Sequence, residues 1–407
     1  MRFPTRFVAS WPLLLAACAG DAAAPTEEGG ATAARVARLV FAADSVAVNQ
    51  GREAQVVATA LDAQGNAVPG ATIAYSVSDD RVAMVSGGGA VTGLRSGVAT
   101  VRASVAGATA TATLEVFGHP EGRLVGAESL GGRPFGVAVS RDGVVYVTQL
   151  DASALARLDT TRRVVGAVSV GHTPTGVAFS PTGDLAFVTN QSSGTVAVVD
   201  VAKGTSVADV RVPAAPFVPF VSPDGRKLFV TTNTSRVYVA DSRTRALVDS
   251  ITLTHAPNGF ALDPDERRIY VSAFFGGSVH EIDVATNAVL RAFMPGGVPQ
   301  GMTVSPDGRE LFVANEAGWL DVYALGTGER TARIALGGGG FGVALSPDQE
   351  HLYVSLPNAG RVQVVNTSSL RIGHTIEVGG VPRRIAFTRH GGVAVIPNEA
   401  GYVSFVR

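Results

Sequence analysis

Cysteine is almost absent from this chain: among 407 residues there is one, Cys18. An internal disulfide is therefore excluded, and the folded part must rest on its apolar core alone. Charge is sparse as well. Asp, Glu, Lys and Arg make up 16% of the residues and nearly cancel, leaving a formal net charge of −1. That excludes a global field able to gather nucleic acid or acidic membrane surfaces, and it excludes a disordered polyelectrolyte. No nucleic-acid partner is expected, and the folded part is expected to be a monomer. The apolar run near the start, residues 7–17, is too short to span a bilayer. Catalytic motifs are missing too: there is no GxSxG, no HExxH and no Cys/His cluster, and the seven histidines are scattered. Gly-rich stretches such as 337–340 lack a Lys/Thr continuation and a following helix, so no phosphate cradle and no cofactor are expected. What the chain does have is glycine, 48 residues of it, and 46% hydrophobic residues. That mix suits β-strands joined by tight turns.

The first residues stand outside the fold. Arg2 and Arg6 flank a short positive segment, the apolar residues 7–17 follow, and the run closes on Leu15-Ala16-Ala17-Cys18. This resembles the signal peptide and lipobox of bacterial lipoproteins, residues 1–17 being the signal. The resemblance implies a mature chain that starts at an acylated Cys18, is anchored in the membrane through that lipid, and lies in the cell envelope. Ala19 after the cysteine resembles the outer-membrane sorting pattern. Residues 18–37, rich in Ala, Gly, Thr and Glu, read as a flexible tether.

Residues 38–117 carry short alternating apolar segments, with strand signals at 54–61, 72–77, 82–85, 97–105 and 109–116. Turn residues recur between them, as in a β-sandwich. The stretch SDDRVAMVSGGGAVTGLRSGVATVRA, residues 78–103, resembles the bacterial Ig-like (group 2) signature. The resemblance implies a spacer or adhesive module, and nothing in 38–117 offers a catalytic or metal-binding cluster.

The rest of the chain, 122–407, is an internal repeat. PFGVAVSRDG (134–143) is followed by PTGVAFSPTG, PFVPFVSPDG, PNGFALDPDE, PQGMTVSPDG, GFGVALSPDQ and PRRIAFTRHG (382–391). The seventh positions, Ser140, Ser180, Ser222, Asp263, Ser305, Ser346 and Thr388, are spaced by 40, 42, 41, 42, 41 and 42 residues. Seven copies of an all-strand unit with that period predict a seven-bladed β-propeller of four-stranded blades. The last repeat ends after three strands, and residues 123–131 match 163–171, an outer strand. The first strand of the propeller is therefore expected to complete the last blade and remove the ring's open edges. The expected fold is all-β: an immunoglobulin-like sandwich, then a propeller closed by its N-terminal strand. The second-strand segments Tyr146-Val147-Thr148-Gln149, Phe187-Val188-Thr189-Asn190 and Phe312-Val313-Ala314-Asn315 resemble the YVTN family of propellers. That family consists mostly of exported binding or scaffold modules.

Candidate binding residues are those that vary between repeats on one face. The residue after the repeat proline (Gly340 in the sixth repeat) is one set, Phe135, Thr175, Phe217, Asn258, Gln300, Phe341 and Arg383, expected to ring the channel mouth. The loops between second and third strands add Phe274, Phe275 and Trp319, and His172 and His255 stand at equivalent positions before the proline. A mouth of aromatic, amide and Arg groups fits a protein or glycan partner. Some propellers related to the YVTN group are lactonases with a central metal. By that resemblance the alternative function is a periplasmic metal-dependent hydrolase, with Glu316 and Glu399 beside Asn190, Asn315, Asn358 and Asn398 around a cation such as Ca²⁺. Asn bonding to its own loop backbone is the simpler account of those amides.

Overall fold

The structure, a computed structural model, describes residues 36–388 and 392–407. Cys18, the segment 1–17, most of the 18–37 tether and His390 lie outside the described residues. Among the described residues no helix is long and apolar enough to cross a membrane.

The first domain is a β-sandwich. Ser45–Asn49, Ala108–Phe117, Gly97–Val105 and Ala74–Val77 form one sheet in that order, with Ser45–Asn49 parallel to its neighbour. Glu53–Gln55, Ala90–Gly93 and Ala83–Val85 form the facing sheet, and Arg38–Phe41 pairs with Ala58–Leu61. Alternation decides which side chains enter the core. In Gly97–Val105, Ala99, Val101 and Ala103 are buried while Val98, Thr100 and Arg102 are exposed. Val48, Val82, Val91, Val101, Leu114 and Val116 meet between the sheets.

The remainder is a ring of seven four-stranded sheets. Blade one is built from Pro134–Val139, Val145–Gln149, Ala154–Leu158 and Val164–Ser169, and the next five repeat that order through Ile372–Glu377. The seventh sheet joins Ala386–Phe387, Ala394–Asn398 and Tyr402–Val406 to Leu124–Ser129, which pairs antiparallel with Tyr402–Val406. The ring thus closes as the repeat count predicts. Successive blades sandwich their apolar faces into separate clusters; Phe187, Val196, Val198 and Val230 fill one between blades two and three.

Two features of the repeat hold neighbouring inner strands together. The glycine two residues after the position of the repeat proline has no room for a side chain: a Cβ on Gly136 would lie 2.5 Å from Thr175 O, and one on Gly301 2.7 Å from Phe341 O. The hydroxyl in the second strand then bridges the blades. Ser355 Oγ accepts from Gly342 N at 2.8 Å and donates to Arg383 O at 2.6 Å. Thr231 and Ser272 form the same clasp, onto Asn258 O at 2.9 Å and Gln300 O at 2.8 Å. Blade five has Ala314 in that column, and there Gly301 N donates straight to Phe341 O at 2.8 Å. The Thr of the Tyr-Val-Thr-Asn pattern is thus an inter-blade fastener.

The turns after the inner strands are tied by the Ser-x-Asp pair of the repeat. Ser222 Oγ donates to Asp224 Oδ1 and Ser305 Oγ to Asp307 Oδ1, both at 2.6 Å. The sandwich domain meets the propeller at this end of the inner strands. Asn49 Nδ2 donates to Asp348 O at 2.9 Å, and the fully buried Asp348 carboxylate lies 3.0 Å from His351 Nδ1 and 3.6 Å from His119 Nδ1. A cleft of about 720 Å³ lined by Arg52, Glu53, Asp307, Glu310 and Glu350 runs along this seam.

Candidate binding face at the channel mouth

Each inner strand begins at the mouth and runs toward the seam, so the repeat prolines and the loops between second and third strands share the face opposite the sandwich domain. The seven residues at the second position of the repeat do converge there, but they fill the opening. Phe135 packs edge-on against Phe217 and Phe341, each with ring centroids 5.8 Å away, and Leu150 joins them. Phe135, Thr175, Asn258, Gln300 and Phe341 are all buried. Arg383 lies over the rings of Phe135 and Phe341, 5.3 and 4.8 Å from their centroids.

The polar members form a chain of bonds. Asn258 Nδ2 donates to Gln300 Oε1, and Gln300 Nε2 donates to Glu316 Oε1 at 2.9 Å. Glu399 accepts from Arg383 Nε and from Arg133 Nε, the latter at 3.1 Å. Burial works to raise the pKa of Glu399, but the bonds from Arg133 and Arg383 hold it below the ordinary carboxylate range. Glu316 moves the other way: burial raises it, against the Arg383 charge and the Gln300 amide.

Asn315 spends its amide on its own loop, accepting from Val298 N and Ala317 N and donating to Gly296 O at 2.7 Å. Asn398 repeats this on Val381 N, Ala400 N and Gly379 O. Glu316 and Glu399 are thus engaged by side chains of the mouth, and among the described residues no three His, Cys, Asp or Glu side chains converge as a metal site.

The other candidates stand around the rim. His172 and His255 are exposed and belong to different blades; His172 Nδ1 lies 3.1 Å from Ser153 Oγ. Trp319 is half-buried. Its Nε1 donates to Asp321 at 2.9 Å, and Arg333 lies over its ring at 4.1 Å while bonding the same carboxylate at 2.7 Å. Phe274 and Phe275 sit in a short 3-10 turn with ring centroids 3.8 Å apart, and Phe275 is 75% exposed. Met294, 66% exposed, follows the outer strand of the same blade. Its segment is pinned to the Phe turn where Gly296 N donates to Gly277 O at 2.9 Å.

Sequence reasoning missed Arg384. Its guanidinium enters the channel behind the aromatic plug, donating to Asn258 Oδ1 at 2.8 Å. It lines a cavity of about 180 Å³ with Val137, Val177, Val218, Met302 and Val343. Five repeats have glycine in this column, at 136, 176, 259, 301 and 342, so the arginine was visible as a break in the repeat.

The fold and its mouth define a class: an Ig-like domain docked against a seven-bladed β-propeller at the end opposite the mouth. Residues 36–123 match the bacterial Ig-like domain (group 2). The chain is similar to Antigen Lp49 of Leptospira interrogans, with 25% identity over 186 residues, 43% of this chain and 41% of that protein. It thus spans well under half the length of that relative. Among solved structures it resembles hydrazine synthase of Kuenenia stuttgartiensis, with a TM-score of 0.63 and 20% identity over 68% of this chain and 96% of the other. That likeness shows the propeller fold alone.

Proposed function

We propose that this is a lipid-anchored envelope protein of the YVTN-propeller type, attached through acylated Cys18, and that its mouth-face rim captures a protein or glycan.

 In this reading the anchor sits in the outer membrane, the segment 18–37 is a tether, and the Ig-like domain is a spacer fixed to the seam side of the propeller. The observation that supports it is the exposed pair Phe275 and Met294. Every other large exposed hydrophobic residue among the described ones lies in the Ig-like domain or on an outer strand of a blade. An aromatic and a flexible thioether left in water beside Phe274 and Trp319 form the kind of surface that partners cover. The Ig-like domain lies at the opposite end of the inner strands and does not cover this face. The name of the leptospiral relative, an antigen, is in keeping with an envelope location.

The test pairs Phe275→Ser with Met294→Ser. Immobilised protein is exposed to solubilised envelope proteins and to a glycan array. The expected result is specific capture by the parent and none by the double variant, with unchanged unfolding midpoints. Equal capture by both proteins removes the rim from the reading. The anchor is tested separately by metabolic palmitate labelling, which Cys18→Ser should abolish; persistent labelling overturns the anchor.

A further inference from the structure

Arg384 is the one charged group of the mouth that the rim does not explain. Its neighbours are an amide and two rings: Asn258 Oδ1 at 2.8 Å, and the centroids of Phe217 and Phe341 at 6.0 and 5.2 Å. Among the described residues no carboxylate oxygen lies within 4.0 Å of it. The two carboxylates of the mouth are already engaged, Glu399 by Arg133 and Arg383 and Glu316 by Gln300. A guanidinium held partly out of water without a counter-charge is costly, and proteins usually pair it.

The space beside Arg384 has the shape of an answer. The cavity of about 180 Å³ is lined by this single charged side chain and otherwise by glycines, Thr175 and apolar groups such as Val177, Met302 and Val343. Thr175 Oγ1 is committed to Phe217 O at 2.7 Å and so adds no donor of its own. The site therefore offers one planar fork of N–H groups set in a hydrocarbon wall. A doubly charged, heavily hydrated anion such as phosphate lacks the donors it needs there. A carboxylate matches the fork, and a short hydrocarbon body matches the wall.

We propose that the propeller channel is a binding site for a short-chain monocarboxylate, its carboxylate on Arg384 and its apolar body against Val177, Met302 and Val343. The bound anion supplies the missing counter-charge. Burial, with the neighbouring Arg383 cation, brings the Arg384 pKa down to about 10, which is the direction an uncompensated guanidinium takes. The site is separate from the rim, lying behind the plug of Phe135, Phe217 and Phe341.

The experiment is isothermal titration of the full chain with sodium butyrate, and with sodium phosphate and sodium chloride at matched ionic strength. The parent should bind one butyrate saturably and more tightly than either inorganic anion, and its thermal midpoint should rise with butyrate concentration. Arg384→Gln should weaken butyrate binding at least tenfold. Arg384→Lys, which keeps the charge but not the fork, should fall between the two and serves if the glutamine variant does not fold. Absence of saturable butyrate binding by the parent overturns the proposal. So does phosphate binding more tightly than butyrate, or undiminished butyrate binding by either variant.

Discussion

The hydroxyl clasp between blades makes a sharp prediction at Ser355. This side chain is fully buried and serves two backbone groups at once, Gly342 N at 2.8 Å and Arg383 O at 2.6 Å. Ser355→Ala keeps the volume nearly constant, so the cavity contribution is small. What changes is that one buried N–H and one buried carbonyl lose this partner. A stranded buried group costs about 1–3 kcal/mol, and a carbonyl with a second lone pair falls at the low end. The expected loss is about 3 kcal/mol, read from guanidinium unfolding curves that follow the fluorescence of Trp319 in a Trp11→Phe background. In blade five, where Gly301 N bonds Phe341 O directly, the same column holds Ala314 and the blade does without the clasp. If Ser355→Ala costs less than about 0.5 kcal/mol, the clasp is not what fastens the blades, and its recurrence follows from some other constraint.

Two further outcomes follow from buried charges. Asp321 is fully buried under Trp319, Arg330 and Arg333, and breaking such a group costs about 3–5 kcal/mol. Because the Arg333 side chain is 35% exposed and can recruit water, Asp321→Ala should lose about 3 kcal/mol in the same unfolding assay, and a loss under about 1 kcal/mol would refute this account. At the seam, burial alone raises the pKa of Asp348, but its bonds from His351, Ser346 and Glu350 N outweigh this and bring it below 3.8. The stabilisation from a lowered carboxylate is fully present above the unfolded value and is lost as pH falls through the folded one. Small-angle scattering should therefore show the Ig-like domain swinging free only below about pH 3.8, and Asp348→Asn should remove that acid transition; an unchanged acid transition in the variant refutes the assignment.

The architecture was legible because its signals are local and repeated. The spacing of Ser140, Ser180 and their successors fixes a blade length, and the likeness of 123–131 to 163–171 fixes how the ring closes. The mouth was half legible. Its residues could be placed on one face, since each holds the second position of its repeat, but their mutual distances could not. Phe135, Phe217 and Phe341 come from three blades, and only the ring's diameter brings them into contact and turns an open mouth into a plug. The seam left no sequence signal at all. Asn49, His119 and Asp348 are far apart in the chain, and each is an ordinary polar residue until the two domains meet. Arg384 is the instructive case, because it breaks a column that holds glycine in five of the seven repeats. Those glycines serve close approach between blades, whereas blades three and seven carry Val218 and Arg384 there and have room for a side chain.

Placement of the seam decides what the mouth can do. The inner strands start at the plug and end at the turns that hold Asp307 and Asp348, so the Ig-like domain and the mouth lie at opposite ends of the same strands. A partner on the rim beside Phe275 meets no obstruction from the Ig-like domain, and a domain held by Asn49 and His119 presents the rim in a fixed direction. The two candidate sites also divide the chemistry between them. The rim is apolar and open, which suits a large surface; the channel cavity is small and is lined by one cation, which suits a small anion. Only Asn258, Gln300 and the aromatic plug connect them. Asn258 bonds both Arg384 and Gln300, and Gln300 bonds Glu316, so one hydrogen-bonded chain of side chains runs from the channel to the loop that carries Trp319.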